Sequence, residues 1–453
     1  MTNPPPVSIP DLPDLQSGFL IAAAHSGAGK TTVTLGILGA LRNRGHQVQP
    51  FKCGPDYLDP KLHTIASGRE SINLDRFMMD DTHIRQLYEK YGHDASVLVT
   101  EGVMGLFDGA VKMEGSSADL ACLLQIPVIM VINAKAMAYS AAAILLGFKM
   151  LRPELKIAGV IFNFVQHESH YQILKSAAED VGITALGYLP DTPDIKIPSR
   201  HLGLKTGTEI DHGAIIASAA AHIEKHILLD ELIRITADRP ATDSHVTDNA
   251  VKAESIRPLK KILVARDEAF NFIYPENLAA LASLGELSFF SPLKDHHLPE
   301  ADLIYLPGGY PELHLETLSS NKTLLNELQV YARDGGKLLA ECGGMMYLGK
   351  SISNEQAKVF PMAGILDFAT GMQHKKLAIG YKRVKIRGTE LRGHEFHYSG
   401  FMGNPDATAD VQVYSARQEL LHTPVFSTDN ILASYLHFYF GDNIQAIKTL
   451  LFG

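Results

Sequence analysis

Along the chain, short apolar or β-branched runs alternate with segments whose apolar residues recur at helical spacing. From Gly18 to about Ile235 the strand candidates are "GFLIAAA", "HQVQPFK", "SVLVT", "PVIMVIN" and "KIAGVIFN". Most of these runs are too continuously apolar for strands with one wet face, so the alternation predicts a parallel sheet covered by helices on both sides. A polar stretch with little periodicity, "TADRPATDSHVTDNAVKAESIRP", follows and reads as a linker. The rhythm then restarts with "KKILVARD", "ELSFF", "DLIYLP" and "GKLLA". There is no fixed-period repeat. The pattern thus predicts an α/β protein: a flexible leader, 1–16, a first domain, 17–235, a linker, 236–259, and a second domain, 260–453.

The length of 453 residues agrees with more than one hydrophobic core. With 46% hydrophobic and 20% charged residues the chain reads as an ordinary folded protein. A net charge of −9 argues against nucleic acid as a partner, because duplex binding needs Lys and Arg matched to phosphates. The opening "MTNPPPVSIPDLPDLQSG" lacks the basic start and apolar core of a signal peptide. The longest apolar region is broken by Pro127, Asn133 and Lys135 before it could span a bilayer. Three cysteines without metal-like spacing point to a reducing compartment, so the expectation is a cytoplasmic protein with no membrane partner.

The first strand runs into "AHSGAGKTT", Ala24 to Thr32, and then into the apolar-periodic "VTLGILGALRNRG". This is a phosphate-loop arrangement. Gly27 and Gly29 let backbone amides cradle phosphates, Lys30 reaches the terminal phosphates, and Thr31, followed by Thr32, offers a hydroxyl to Mg2+. The usual first glycine is replaced by Ala24. Mg2+ bound to phosphates needs one or two protein carboxylates. The candidates are Asp56 in "FKCGPDYLDP" and Glu101 in "VLVTEGVMGLFDG", both just past a strand, where ligands collect in such sheets.

The segments "GAGKTTVTLGILGALRNRGHQVQPFKCGPDYLDP", "EGVMGLFDG", "PSRHLGL" and "GHEFHYS" resemble the cobyrinic acid a,c-diamide synthases, also called hydrogenobyrinic acid a,c-diamide synthases. The resemblance extends over nearly the whole chain outside the leader and linker. It implies a first domain similar to dethiobiotin synthetase and a second of the class I glutamine amidotransferase type. It also implies ATP-dependent conversion of two acetate carboxylates of a corrin-type macrocycle to amides through acyl phosphates, in cobalamin biosynthesis. Thr31, Asp56 and Glu101 would then hold Mg2+, and Lys30 and Lys52 would neutralise the transferred phosphoryl. Lys52 reads equally well as a surface lysine at a strand end. Asn163, closing "KIAGVIFN", resembles an adenine-contacting asparagine. Arg76 in "NLDRFM" and Arg200 and His201 in "PSRHLGL" are the candidates for the macrocycle's carboxylates, which arginine suits by its bidentate geometry.

In "KLLAECGGMMYLG", Cys342 falls between a strand and a helix-like segment, at the kind of elbow that exposes a nucleophile beside a helix N-terminus and lowers a thiol pKa. Cys53 and Cys122 lie in apolar surroundings and read as packing residues. By resemblance His437 in "ASYLHFYFGDN" is the base of a glutaminase that passes through a thioester, and Gly309 in "LPGGYPE", with Gly343, supplies the oxyanion amides. Wider amidotransferases often carry a glutamate two residues after this histidine, where Tyr439 stands here. Glu395 in "GHEFHYS" is a candidate to orient His437, with His394 and His397 read as structural, and "DHH" at 295–297 as no metal site.

The resemblance leaves open cobyric acid synthase and the nickel-sirohydrochlorin a,c-diamide synthase, whose motifs overlap with these. A reading from another class is a partitioning-type ATPase switch. Those carry an extra lysine where His25 stands and no cysteine-elbow domain. The implied partners are small molecules, namely ATP, glutamine and the corrin-type polycarboxylate, with a homodimer as the assembly.

Overall fold

Water has nothing polar to hold in the run "FLIAA", and as part of strand β1 (Leu15–Ala23) Phe19 to Ala23 are fully buried at the centre of a sheet. The computed structural model describes residues 15–196, 211–237, 239–240, 260–373 and 377–453. The leader up to residue 14, most of the linker, and the "PSRHLGL" motif with Arg200 and His201 lie outside the described residues. The described chain divides into two compact units, one holding residues 15–76, 81–196 and 211–240, the other residues 77–80 and those from 260 onward.

In the first unit β1 is joined in parallel by β2 (Val48–Cys53), β3 (Ile72–Leu74), β4 (Val97–Glu101), β5 (Val128–Asn133), β6 (Ile157–Asn163) and β7 (Thr184–Leu189) in the order β3-β2-β4-β1-β5-β6-β7. A short β8 (Arg239–Pro240) pairs antiparallel with the start of β1. The intervening helices are α1 (Lys30–Asn43), α2 (Asp59–Ser67), α3 (Asp81–Gly92), α4 (Ser117–Leu124), α5 (Ala141–Leu151), α6 (Glu168–Asp180), α7 (His212–His226) and α8 (Leu229–Thr236). Helix α1 is buried on nearly every side because it lies between the sheet and α7. That approach needs small residues: a Cβ on Gly36 would fall 2.6 Å from Ile223 Cγ1 and 2.9 Å from the Ala219 carbonyl. All five strands expected here are present. The unread strands are β3, a three-residue piece, β7, a run, "TALGYL", interrupted by glycine, and the two-residue β8 in the segment read as linker.

The second unit contains, in chain order, β9 (Lys260–Ala265), α9 (Pro275–Ala282), β10 (Gly285–Phe290), β11 (Leu303–Leu306), α10 (Leu315–Ser320), α11 (Lys322–Arg333), β12 (Lys337–Glu341) and α12 (Gly343–Leu348). Short strands follow: β13 (Ser351–Ser353), β14 (Val359–Pro361), β15 (Ala369–Gly371), β16 (Ala378–Ile386), β17 (Thr389–His397), β18 (Gly400–Phe401), β19 (Val411–Ser415), β20 (Leu420–Leu421), β21 (Val425–Ser427), β22 (Ile431–Ser434) and β23 (His437–Tyr439), before α13 (Ile444–Phe452). The main sheet, β10-β9-β11-β12-β22-β21, is parallel except for β21. Smaller sheets run β14-β13-β15-β18 and β20-β19-β16-β17-β23.

The twofold period of the main strands sorts their side chains into two cores. Leu263, Ile304, Leu338 and Ala340 pack on one face of the sheet with Cys342 and Met345. Ile262, Tyr305, Leu339 and Leu432 pack on the other with Phe438 and Phe440. The fold is thus the expected two-unit α/β arrangement.

Glu341 ends β12 at 1% exposure. Burial pushes its carboxyl up to about 8, against the opposing pull of hydrogen bonds from Tyr305 and the Phe438 amide. The folded chain therefore keeps a proton that the unfolded chain releases above the ordinary value of 4.5, so this group's contribution to stability falls as pH rises from there to about 8. Glu341→Gln removes that loss. Thermal denaturation should show the variant gaining on the wild type from about pH 5 to about pH 8, and a difference independent of pH would contradict the assignment.

Candidate functional sites

In the first unit the chain leaves β1 through a loop in which Gly27 (φ 83°) and Gly29 (φ 92°) take left-handed conformations that a side chain would strain. A Cβ at Gly29 would also fall 2.0 Å from Asn163 Nδ2. Ala24 is not left-handed, so the loop needs no glycine there. Lys30 and Thr31 open α1 immediately after the loop, with the helix amides pointing toward any anion it holds.

Parallel register brings the remaining groups together, for Lys52 on β2 lies directly opposite Glu101 on β4. Glu101 is 1% exposed and accepts from Thr31 Oγ1 at 2.8 Å and Lys52 Nζ at 3.1 Å through Oε1, while His63 Nε2 lies 2.6 Å from Oε2. Burial by itself would raise this carboxyl. The charge of Lys52 and the bond from His63 outweigh it and hold Glu101 well below the usual carboxylate range. Lys52 also reaches Asp59 at 2.7 Å and Asp56 at 3.9 Å, and at 3% exposure it is no surface lysine. Burial, then the neighbouring Lys52 charge, lower Lys30 to about 8, and its ammonium donates to the Met104 carbonyl.

Asp56 accepts from the amides of Leu58 and Asp59 at 2.8 and 3.0 Å, leaving Oδ2 on the Lys52 side. Among the described residues no group of three or more His, Cys, Asp or Glu is arranged to hold a metal by itself. A hydroxyl with one or two carboxylates is nevertheless the donor set that suits Mg2+, which takes its other ligands from phosphate and water. Thr31, Glu101 and Asp56 fit that description.

Two of the expected contact residues have protein partners in this structure. Asn163 donates to the Ala28 carbonyl at 3.0 Å and accepts from the Phe164 amide, so its carboxamide braces the phosphate loop. Arg76 is engaged by Asp81 at 2.6 Å and Asp119 at 2.7 Å, which occupies the guanidinium edges expected for a substrate carboxylate.

In the second unit Cys342 has φ 46° and ψ −107°, a strained backbone for a residue with a side chain. The strain is held on one side by its amide donating to the Ser434 carbonyl at 2.7 Å and on the other by α12. The segment Gly308–Gly309 packs against His437 at its first residue and against Gly343 at its second. A Cβ on Gly308 would fall 2.2 Å from His437 Cε1, and one on Gly343 would fall 3.2 Å from the Gly309 nitrogen. The Gly309 nitrogen thereby lies close to Gly343, the residue that follows the cysteine.

Burial pushes the Cys342 thiol up, reinforced by the negative charge of Glu312 and only partly offset by the Gly343 amide. This corrects the expected lowered thiol, since α12 is only six residues long and the site is fully enclosed. Burial, followed by the charges of His394 and His397, drives His437 well below its ordinary value. Both groups therefore rest uncharged, as thiol and neutral imidazole.

Glu395 does not reach His437. Its carboxylate lies 2.8 Å from His397 Nε2 and 3.6 Å from Lys382, because neighbours on a strand face opposite ways and His394 is the residue registered against His437. The rings of His394 and His437 stack at 5.0 Å between centroids. Asp59 and His63 escaped the sequence reading, although their four-residue spacing on one helix face was a usable signal. So did Glu341, an acid closing an otherwise apolar strand.

A family model described as the CobQ/CobB/MinD/ParA nucleotide binding domain matches residues 19–204, and one described as a CobB/CobQ-like glutamine amidotransferase domain matches residues 261–444. Among curated relatives, a protein named cobyrinate a,c-diamide synthase from Dehalococcoides mccartyi is 38% identical, covering 96% of this chain and 97% of its own. Proteins of the same name from Listeria innocua and Picrophilus torridus are 40% and 38% identical, covering 96% and 94% of this chain and 98% and 96% of theirs. With both matched segments in one chain and relatives alike from end to end, the chain belongs to the cobyrinate a,c-diamide synthase family.

Proposed function

We infer that the chain converts the a and c acetate carboxylates of cobyrinic acid, or its metal-free counterpart hydrogenobyrinic acid, to amides, using ATP and glutamine in cobalamin biosynthesis. The observation that carries this is the presence in one chain of the Lys30–Thr31–Glu101 cluster on a phosphate loop and of a strained Cys342 whose neighbour Gly343 packs near Gly309, next to the Gly308 that His437 packs on. On this reading residues 17–235 form the amide synthetase domain and 260–453 the glutaminase domain, joined by 236–259 and preceded by a leader, 1–16.

In the glutaminase Cys342 Sγ attacks the glutamine carboxamide carbon while His437 takes the thiol proton and returns it to the leaving ammonia. Water then cleaves the thioester to glutamate. The amides of Gly309 and Gly343 receive the oxyanion in both halves, a service whose loss costs about 100-fold or more per donor. In the synthetase a substrate carboxylate oxygen attacks the γ-phosphorus of ATP, ADP departs, and ammonia displaces phosphate from the acyl phosphate. Gly27, Gly29 and Thr32 line the phosphates, and Lys30 and Lys52 offset the charge gathered on the transferred group.

Thr31, Asp56 and Glu101 would hold Mg2+, which supplies charge neutralisation on the nucleotide phosphates. Asn163 holds the loop in shape for ATP, and adenine remains its proposed further contact. Arg200 and His201 are the proposed corrin carboxylate contacts, with Arg76 contributing on exchange of its acidic partners. The proposal extends to a cytoplasmic homodimer acting on small molecules, without nucleic-acid or membrane partners. The net charge of −9 argues against a nucleic-acid partner.

With cobyrinic acid, ATP and Mg2+, Cys342→Ala should give no product from glutamine but wild-type product from ammonium, read as a mass loss of about 1 Da per amide as amino replaces hydroxyl. Product from glutamine at the wild-type rate would remove Cys342 as nucleophile. Glu101→Gln should lose at least about 100-fold with either nitrogen donor. Sensitivity to the donor would move Glu101 out of the phosphoryl-transfer site.

A further inference from the structure

A base that must take a proton from a buried thiol has to be held at a fixed distance from it. The acid that often follows such a histidine by two residues is replaced by Tyr439, and Glu395 is taken up by His397 and Lys382. The ring of His437 is confined between Gly308 and the parallel ring of His394, tilted 16° from it. Those contacts set the plane of the imidazole.

The Glu341 side chain links the peptide that follows His437 to the residue that precedes Cys342. The Phe438 amide, the peptide unit immediately following His437, donates to Glu341 Oε1 at 3.1 Å. Glu341 Oε2 accepts from the Tyr305 hydroxyl at 2.8 Å. Glu341 is itself the residue before Cys342. A group covalently attached to the nucleophile's backbone thus grips the peptide covalently attached to the base, and Tyr305, on the adjacent strand β11, fixes the grip from a third side. An acid so enclosed is an expensive choice for a strand that otherwise buries Leu338, Leu339 and Ala340, since filling space alone would favour an apolar residue.

We propose that Glu341 is the positioning residue that sets His437 against Cys342, serving through a backbone amide the purpose that a carboxylate on the imidazole serves elsewhere. The proposal rests on the glutaminase reading above. It requires a hydrogen-bond acceptor at residue 341 and does not require a charge, so a carboxamide should serve.

The test compares full-length wild type, Glu341→Ala, Glu341→Gln and Cys342→Ala with ATP, Mg2+ and cobyrinic acid, supplying glutamine over a concentration series or ammonium. Glu341→Ala should lower kcat with glutamine by between about 10- and 100-fold while KM for glutamine stays within about twofold, as for a misplaced base that leaves substrate binding alone. Glu341→Gln should stay within about threefold of wild type, because its carboxamide oxygen can still accept from Phe438. All three variants should match wild type with ammonium. A wild-type kcat in Glu341→Ala, a loss confined to KM, or a Glu341→Gln as slow as Glu341→Ala would overturn the proposal. Turnover of glutamine by Cys342→Ala would instead overturn the glutaminase reading.

Discussion

A carboxyl group taken out of water must be given a cation or keep its proton, and the two glutamates that end β4 and β12 meet that demand in opposite ways. Glu101 has the ammonium of Lys52, the hydroxyl of Thr31 and the ring of His63 around it and is held ionised. Glu341 has a tyrosine hydroxyl and a backbone amide for partners and is pushed toward the neutral form. Each sits at the carboxyl end of a parallel strand, where the next residues must turn away from the sheet. The charged one lies where a cationic ligand would be welcome. The neutral one lies in an apolar core, where a charge would be costly.

The reactive elbow depends on the same economy of burial. Cys342 and His437 are enclosed by the packing around β12 and β22, which leaves the thiol protonated and the imidazole neutral. Reactivity then comes from placement more than from a standing thiolate. The strained backbone at Cys342, the Ser434 carbonyl on its amide and the close approach of Gly308 to His437 supply that placement. A glycine is required at residue 308 for the plain reason that the imidazole fills the space of its missing Cβ.

Much of this was legible in the sequence, and the reasons differ by region. Continuous apolar runs such as "PVIMVIN" announce a buried parallel strand without reference to any partner. The phosphate loop and the residues around Cys342 are equally local, being a glycine-rich turn and an elbow between strand and helix. What the sequence concealed depends on register and on side-chain direction. Nothing local tells that Lys52 will stand opposite Glu101, or that Glu395 will turn to His397 and not to His437. The small sheet containing β16 and β17 also went unread, because "AIGYKRVKI" carries polar residues at many of its half-buried positions.

The central claim is that the phosphate-loop unit activates a carboxylate by making it an acyl phosphate, which ammonia then opens. The most direct test uses cobyrinic acid labelled with oxygen-18 in its carboxylates and follows the label during turnover. Phosphoryl transfer to the carboxylate predicts one labelled oxygen delivered to inorganic phosphate for each amide formed. Amide formation with unlabelled phosphate would contradict the account.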